Sequence, residues 1–282
     1  MEILNGKEVS NKIKAQIKQK IVDEYENKVV PCLACLLVGD NPASKVYVGS
    51  KEKACDAVGF KSIVKLLPEE SSFEDVKNAI IELNENAEVS AILMQLPLPK
   101  HLKEREQELI EFISPEKDVD ALTYMSLGKL FSGHHTIAPC TATGIIDILD
   151  EYNIQIAGKS VAVIGRSLLV GKSVANLFEQ RNATVTICHS KTVNTHEITR
   201  EADIVVVAVG KPKFLTADMI KDGAVVIDVG INRLENGLVG DVDFDNVKEK
   251  CSYITPIPGG VGPMTIAELM KNTLILHENK NI

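Results

Sequence analysis

Short apolar runs alternate along the chain with longer segments in which apolar residues recur every three or four positions. The segments at 43–58, 73–86 and 143–152 have the spacing of amphipathic helices. Strands that alternate with helices are typical of βαβ units, so the pattern predicts an α/β protein with parallel sheets. The apolar runs predict strands near residues 30–38, 61–67, 90–94, 160–165, 184–188, 203–209, 224–229 and 252–255.

The alternation is interrupted by a stretch with a different composition, SPEKDVDALTYMSLGKLFSGHHTIAPCTATG. Such a stretch predicts a loop-rich passage between two domains. We therefore expect an N-terminal α/β domain over 1–139 and a Rossmann-type parallel-sheet domain over 140–262. Apolar residues at helical spacing near the end of the chain predict a C-terminal helix, 263–282, that packs back on the first domain.

Composition narrows the class of protein. A chain of 282 residues with 45% apolar and 25% charged residues has the size and balance of a two-domain globular protein. The formal net charge of −8 argues against a general nucleic-acid binder, which normally carries a basic excess. The N-terminal stretch has no apolar core of signal-peptide length, and the run IVVVAV is too short to span a membrane. We expect a cytoplasmic protein with no membrane partner.

Two clusters invite a metal or redox interpretation. Cys32 and Cys35 form a C-x-x-C motif inside the apolar run VVPCLACLLVG. In an extended strand this offset directs the two side chains to opposite faces, so we expect buried, unreactive cysteines. His134 and His135 are adjacent and have no further ligand residues at metal-site spacing. No metal site is predicted.

The segment VAVIGRSLLVGKSVANL, residues 161–177, has the order strand, glycine turn, helix that proteins use to hold a dinucleotide phosphate. Gly165 ends the strand and Gly171 follows six residues later, which is not the G-x-G-x-x-G spacing. Arg166 and Ser167 lie on the turn, where a guanidinium and a hydroxyl can contact phosphate oxygens. A plain strand-to-helix turn is the alternative interpretation.

The next strand indicates which nucleotide the turn would hold. An NAD site normally carries an acidic residue about 20 positions after the glycines, where it binds the ribose. Here the strand ATVTIC ends in HSKT, residues 189–192, with no carboxylate. Ser190 and Lys191, together with Arg166, suit the additional phosphate of NADP. We predict NADP rather than NAD.

A second group of polar residues lies in the first domain. Ser44, Tyr47 and Lys51 occur in NPASKVYVGSKEKA at offsets of three and four, so one helix face carries all three. Gln95 directly follows an apolar strand. Ligands of open parallel sheets bind at the carboxyl ends of strands, which is where this set is expected.

Asp118 and Asp120, in PEKDVDA, complete the group. Taken singly, each member of the group has an ordinary alternative role, as a helix cap or a solvated charge. Together they are costly to bury without a function.

The motifs now assembled resemble those of a known family. The chain contains GDNPASKVYVGSK, MQLPLP, PEKDVDA, PCTATG, VIGRSLLVGK, CHSKT, VIDVGIN, GDVDF and TPIPGGVGPMT in order, over nearly its whole length. This set is similar to the bifunctional methylenetetrahydrofolate dehydrogenase and methenyltetrahydrofolate cyclohydrolase family, of the bacterial FolD type. The resemblance implies a homodimer of two-domain subunits with a catalytic folate-binding domain, an NADP-binding domain and a folate cleft between them.

The resemblance also implies residue roles. Lys51 would be the catalytic lysine, Tyr47 the ring that stacks on folate, Gln95 the partner of the lysine and Asp120 the anchor of the pterin, with Ser44 assisting. The glycine-rich loop near the substrate would contain Pro258, Gly259 and Gly260. The positions that contact the nucleotide correspond to Gly165, Arg166, Ser167, Ser190 and Ile231.

Three positions depart from the family pattern, which commonly has proline at Ala142 and Ser173 and glycine at Ala121. Only Ala121 is expected to matter, through the loop that presents Asp120. The alternatives that remain are a monofunctional methylenetetrahydrofolate dehydrogenase, another two-domain Rossmann oxidoreductase, and a folate- or nucleotide-binding protein without turnover. Such a binding protein would not need Lys51.

Overall fold

The computed structural model describes residues 1–234 and 237–280, which form two compact units. The six-strand unit comprises Met1–Asn11 and Pro139–Glu268. The three-strand unit comprises Lys12–Ala138 and the chain from Leu269 onward. Residues 1–11 therefore belong to the same compact unit as residues 139–268, whereas the predicted boundaries assign 1–139 to one domain. Those boundaries stay a prediction.

Eleven strands and ten α-helices occur in the described residues. The strands are β1 (Glu2–Ile3), β2 (Cys32–Val38), β3 (Lys61–Leu67), β4 (Ala91–Met94), β5 (Ser160–Ile164), β6 (Thr184–Cys188), β7 (Ile204–Val207), β8 (Val225–Asp228), β9 (Asn232–Leu234), β10 (Gly237–Val239) and β11 (Tyr253–Ile254). The helices are α1 (Gly6–Glu24), α2 (Pro42–Val58), α3 (Phe73–Glu85), α4 (Glu106–Ile110), α5 (Tyr124–Phe131), α6 (Cys140–Glu151), α7 (Ser173–Gln180), α8 (Thr195–Glu201), α9 (Phe244–Val247) and α10 (Val261–Lys280).

The six-strand unit is built on a parallel sheet in the order β1-β11-β8-β7-β5-β6. The chain passes from β5 to its neighbour β6 at the edge of the sheet and then crosses to β7, which is the neighbour of β5 on its opposite side. The topological switch point therefore lies between β5 and β7. In open parallel sheets the crevice at such a point, at the carboxyl ends of the strands, is where ligands bind. All residues of β7 and β8 are buried, as expected for strands covered on both faces.

The three-strand unit has a parallel sheet in the order β3-β2-β4. Its central strand β2 is CLACLLV, and every residue of it is buried. The edge strand β3 leaves Val64 and Leu66 exposed. Helix α2 begins after Asn41, whose side chain accepts hydrogen bonds from the backbone N–H groups of Ala43 and Ser44. This cap fixes the start of the helix that carries the predicted lysine.

The described structure confirms the predicted α/β class and each of the eight predicted strands. It also contains elements that were not predicted, among them the antiparallel pair of β9 and β10. The stretch predicted to be loop contains α5, because Thr123 caps the helix and Leu130 anchors it in the core. Strand β1 has two residues, too few for any periodicity, and its pairing with β11 was not predicted.

The predicted C-terminal helix is present as α10, and the last two positions of the predicted range lie outside the described residues. Within the three-strand unit, the Asn272 side chain donates hydrogen bonds to the carbonyls of Val119 and Ala138, both at 3.0 Å. Glu278 forms an ion pair with Lys20 at 2.6 Å. The end of α10 is therefore held in this unit by buried polar contacts as well as by its apolar face.

Cys32 and Cys35 are buried in β2, as predicted. Burial raises the pKa of the Cys35 thiol to about 12, so this thiol stays protonated and unreactive at neutral pH. None of the described helices combines the length and the apolar character that crossing a lipid bilayer requires.

Candidate functional site

The predicted lysine and glutamine are in direct contact in the three-strand unit. Lys51 lies on α2, and its Nζ donates a hydrogen bond to Gln95 Oε1 at 2.8 Å. Gln95 follows the carboxyl end of β4 and is only 8% exposed. Its own Nε2 donates to the Leu96 carbonyl at 2.6 Å, and its backbone N–H donates to Leu36 at 2.8 Å. These bonds fix the amide so that its oxygen faces the lysine.

The rest of the α2 face differs in exposure from one end to the other. Ser44 is buried at the start of the helix, where its backbone N–H is held by the Asn41 cap. Tyr47, one turn further, is 49% exposed, so its ring is available to a planar ligand. Lys51 follows after another turn and is half-buried. Along this face of α2, the hydroxyl of Ser44 is buried, the ring of Tyr47 is accessible and the amine of Lys51 is half-buried.

Asp120 lies at the same sheet edge as Gln95. Asp118, two positions earlier, forms a parallel bridge with Ile92 of β4, so the chain at Asp120 is level with the end of that strand. Asp120 and Leu96 line the same small cavity. The two acidic residues of this motif have different environments. Asp118 is buried and accepts backbone hydrogen bonds at 3.1 and 2.8 Å, which makes it a structural cap, whereas Asp120 is half-buried.

Ala121, where the family commonly has glycine, adopts a left-handed conformation with φ of 52°. A residue with a Cβ is strained in this region by roughly 1–2 kcal/mol. The side chain of Ala121 is fully buried. The loop that presents Asp120 thus keeps a glycine-like backbone although the residue is alanine.

In chemical terms, the cluster contains a primary amine that is bonded to a neutral amide. Among the residues that the structure describes, Lys51 forms no ion pair with a carboxylate. The uncharged amide orients the amine through this single hydrogen bond. An amine held in this way can transfer protons.

The predicted glycine turn begins where β5 ends, beside the switch point. Gly165 has φ of 130°, a conformation that is accessible to glycine. A Cβ at this position would collide with the Ala208 carbonyl of the loop after β7, and a Cβ on Gly171 would collide with the backbone of Gly165. Ser167 Oγ accepts hydrogen bonds from the N–H groups of Val170 and Gly171 and so caps the following π-helical turn. Backbone atoms therefore fill the space that side chains at these two glycines would need, and the turn is tightly packed.

The loop after β6 lies beside this turn, because β5 and β6 are parallel neighbours with Ile164 opposite Cys188. Arg166, Ser167 and Ser190 are exposed there. The loop is shaped by its own polar groups, since His189 donates its backbone N–H to Thr192 Oγ1 at 2.9 Å. Exposed cationic and hydroxyl groups at this edge, with no carboxylate at the end of β6, fit a nucleotide with an additional phosphate.

Two further predicted elements lie in the same unit. Ile231 follows β8 and is 49% exposed. The loop of Pro258, Gly259 and Gly260 connects β11 to α10, and the carbonyl of Gly259 accepts a hydrogen bond from Lys7 at 2.9 Å. Gly259 has φ of 105°, so this loop also needs a glycine. The predicted nucleotide residues and the predicted substrate loop 258–260 thus lie in the six-strand unit, whereas the other predicted substrate residues lie in the three-strand unit.

Sequence reasoning missed two buried acids of the six-strand unit. Asp228 is 2% exposed and Asp241 is fully buried. Burial raises the pKa of Asp228 to about 6, although backbone N–H donors oppose the shift. The available signal was the pair of motifs VIDVGIN and GDVDF, but an isolated aspartate in sequence looks like a surface charge.

Fold and site together define a class: a two-unit α/β protein with a dinucleotide turn at the switch point of one sheet and a lysine–glutamine pair at the edge of the other. Residues 4–120 match the model of the tetrahydrofolate dehydrogenase/cyclohydrolase catalytic domain. Residues 139–281 match the model of the NAD(P)-binding domain of the same family. The chain therefore belongs to the tetrahydrofolate dehydrogenase/cyclohydrolase family.

Individual relatives agree with this assignment over the whole chain. The "Bifunctional protein FolD" of Campylobacter hominis is 55% identical over 281 residues, which cover 99% of this chain and 98% of the relative. The crystal structure of the bifunctional enzyme FolD from Campylobacter jejuni is similar, with a TM-score of 0.96, 44% identity and 99% coverage of both chains. The Trypanosoma brucei dehydrogenase-cyclohydrolase, solved with NADP and an inhibitor, has a TM-score of 0.93 and 36% identity over 99% of this chain and 98% of its own.

Proposed function

We propose that the chain is a bifunctional one-carbon folate enzyme. It oxidises methylenetetrahydrofolate to methenyltetrahydrofolate with NADP and then hydrolyses the product to formyltetrahydrofolate. The observation that carries this proposal is the 2.8 Å hydrogen bond between Lys51 and Gln95, because a dehydrogenase alone has no need of a positioned amine. Family membership supplies the substrate class.

The six-strand unit would hold NADP. Glycines at positions 165 and 171 let the strand-to-helix turn pack tightly, and the backbone N–H groups of such a turn would bind the pyrophosphate. Arg166 and Ser190 would bind the phosphate that distinguishes NADP from NAD, with Ser167 and Ile231 as further contacts. NADP, when bound, supplies the acceptor for the hydride.

The oxidation needs mainly positioning of the folate. Tyr47 would stack on its ring system, and Asp120 would accept hydrogen bonds from the pterin nitrogens. Ser44, which is buried at the start of α2, would help to shape this end of the site. Pro258, Gly259 and Gly260 are proposed to contact substrate through their backbone. In this step the methylene carbon loses a hydride and becomes a methenyl cation.

Hydrolysis needs a group that moves protons. Water attacks the methenyl carbon, one of its two carbon–nitrogen bonds breaks, and a proton is released. The amine of Lys51, oriented by Gln95, would take the proton from the attacking water and return it to the leaving nitrogen. Gln95 keeps the amine oriented throughout and stays neutral itself.

We further propose that the protein is a cytoplasmic homodimer that does not bind nucleic acid or membranes. The exposed edge strand β3, with Val64 and Leu66 on its surface, supplies an unpaired apolar edge that a second copy can cover. The net charge of −8 supports the absence of a nucleic-acid partner. Sedimentation of the purified protein tests the dimer, and a monomer at micromolar concentration would contradict it.

Two spectroscopic assays test the two activities. The first follows reduced nicotinamide after mixing protein, methylenetetrahydrofolate and either NADP or NAD. The second follows the loss of methenyltetrahydrofolate with no nucleotide present. We expect turnover in both assays and a preference for NADP. Turnover in the first assay alone would contradict the role of Lys51 and support a monofunctional dehydrogenase; turnover in neither would leave a binding protein.

A further inference from the structure

Two carboxylates are buried beneath the nucleotide edge of the six-strand unit. Asp241 is fully buried and Asp228 is 2% exposed. Within the described part of the chain, neither forms an ion pair with lysine, arginine or histidine. Burying a charge without a cationic partner is costly unless hydrogen bonds replace its hydration. The hydrogen bonds that these two carboxylates accept therefore identify the parts of the backbone that they hold in place.

Asp241 connects two separate loops. Its Oδ2 accepts the backbone N–H groups of Val209 and Gly210 at 2.7 and 2.8 Å. Its Oδ1 accepts a hydrogen bond from Asn232 Nδ2 at 2.9 Å. Val209 and Gly210 belong to the loop that follows β7, whereas Asn232 follows β8. One side chain thus holds together the carboxyl ends of two neighbouring strands.

Both loops border the predicted nucleotide site. Ala208, directly before Val209, packs its carbonyl against Gly165 of the glycine turn. Asn232 directly follows Ile231, which is predicted to contact the nucleotide. The loop after β7 also forms one wall of the switch-point crevice between β5 and β7. A shift of Asp241 would therefore change the crevice from two sides.

Asp228 holds Asp241 in turn. Its Oδ1 accepts the backbone N–H groups of Gly230 and Asp241 at 3.0 and 2.9 Å, and its Oδ2 accepts that of Val242 at 3.0 Å. A Cβ on Gly230 would collide with the Asp241 carboxylate, and a Cβ on Gly240 would collide with that of Asp228. Glycines at both places let the backbone close around the two acids, so their geometry is rigid.

We propose that Asp241 is a positioning residue for the nucleotide: through the N–H groups of Val209 and Gly210 and the side chain of Asn232, it fixes the two loops against which NADP binds. This inference rests on the proposed function for the identity of the nucleotide. Asp241 acts through these loops, and Asp228 supports it from below. The proposal explains why two carboxylates remain buried where apolar side chains could pack.

The test replaces Asp241 by asparagine. Asp241→Asn keeps the shape but replaces the carboxylate by a neutral amide, which can bond both loops only if Asn232 rotates its own amide to present its oxygen. We expect the Kd for NADPH, measured by fluorescence titration, and the KM for NADP to rise about tenfold, because hydrogen bonds to a neutral amide hold the two loops less firmly than hydrogen bonds to a carboxylate. Cyclohydrolase activity should stay within about twofold of the unaltered protein, because that step uses no nucleotide. Asp245→Asn, an exposed change in the same segment, is the matched control.

An exchange of the two side chains should restore the hydrogen bond between residues 241 and 232. In Asp241→Asn with Asn232→Asp, the amide of residue 241 donates to the new carboxylate, so we expect NADPH affinity to recover to within about threefold. Asn232→Ala removes one hydrogen bond and leaves the buried carboxylate in place. It should raise the Kd by about threefold, which keeps the test valid if the first variant folds poorly.

Three outcomes would overturn the proposal: unchanged NADPH affinity in Asp241→Asn, equal loss of both activities in that variant, or no recovery in the exchanged pair. The titration also separates this inference from the proposed function. If the unaltered protein binds NADPH but turns over neither folate, the proposed function fails, while the NADPH affinities of the variants still decide the role of Asp241.

Discussion

The two units prepare their sites in opposite ways. In the three-strand unit, side chains reach the ligand region directly, with Lys51 held by Gln95 and Tyr47 exposed on the same helix. In the six-strand unit, the site is mostly backbone around Gly165, and the acids Asp228 and Asp241 are buried behind it. One candidate site presents a titratable side chain, whereas the other combines a glycine turn with the exposed side chains of Arg166, Ser167 and Ser190.

This difference follows from what each site has to do. Proton transfer needs a titratable group at a defined place, and only a side chain supplies one. Binding a pyrophosphate needs backbone N–H groups that approach closely, which glycine permits. A mutation should therefore remove chemistry in the first unit and affinity in the second. Substitutions of Lys51, Gly165 and Arg166 test that separation.

The largest effect is expected from Lys51→Met. Loss of a positioned proton-transfer group costs roughly 10²–10⁴-fold, so cyclohydrolase activity should fall to near the background rate. NADPH affinity should not change, because Lys51 belongs to the unit that lacks the glycine turn. The same two assays on Lys53→Met, an exposed lysine on the same helix, provide the control. Full hydrolysis of methenyltetrahydrofolate by Lys51→Met would refute the assignment.

Gly165→Ala should lower NADPH affinity and leave cyclohydrolase activity unchanged, the reverse of Lys51→Met. The new methyl group meets the Ala208 carbonyl, and φ of 130° is strained for alanine. We expect NADPH affinity to fall about 100-fold, equivalent to ~3 kcal/mol, while cyclohydrolase activity is retained. Gly158→Ala is the control, since Gly158 also has a positive φ but has open space around it. Loss of cyclohydrolase activity as well would show that the two sites are not separable.

Arg166→Ala tests the contribution of an exposed side chain to nucleotide binding in the six-strand unit. Arg166 is exposed beside Ser190, where the additional phosphate of NADP would lie. We expect the KM for NADP to rise about tenfold and the KM for NAD to change by less than about twofold. Arg200→Ala, at another exposed position of the unit, is the control. Equal effects on both nucleotides would place Arg166 elsewhere.

The two units should also respond oppositely to pH. Burial lowers the pKa of His277, which accepts or donates a hydrogen bond with Ser90 Oγ at 2.9 Å in the three-strand unit. The unfolded chain then binds protons more readily than the folded one, so this unit loses stability as pH falls below about 6.5. Burial raises the pKa of Asp228 to about 6, so the folded six-strand unit binds the extra proton and gains stability as pH falls through that value.

Hydrogen exchange resolved by peptide, at pH 6.5 and pH 5.0 and corrected for intrinsic rates, measures this contrast. We expect protection to fall in α10 near His277 and to hold or rise around β8. His277→Asn should flatten the first trend and leave the second unchanged, whereas the exposed His134→Asn should alter neither. Parallel trends in both units would show that other groups dominate.

Much of this organisation could be predicted from the sequence. Runs such as CLACLLV and IVVV identify buried parallel strands, and the glycine turn and Gln95 were located by their positions at strand ends. The bond between Lys51 and Gln95 joins residues 44 positions apart, so only the fold reveals it. Asp241 could not be found, because nothing local distinguishes a buried aspartate from an exposed one.

The backbone conformation of Ala121 is another feature that only the structure reveals. The sequence showed a departure from glycine, but only the structure shows φ of 52° at a buried position. Ala121→Gly should relieve about 1–2 kcal/mol of strain and lose roughly 0.4–1 kcal/mol through the freer unfolded chain, for a net gain of about 0.5 kcal/mol in the free energy of unfolding. Asn153→Gly, with φ of 54°, is the control, because asparagine tolerates this region and should gain less. Urea titration measures both. A destabilised Ala121→Gly would mean that the buried methyl group, rather than the backbone, maintains the loop that presents Asp120.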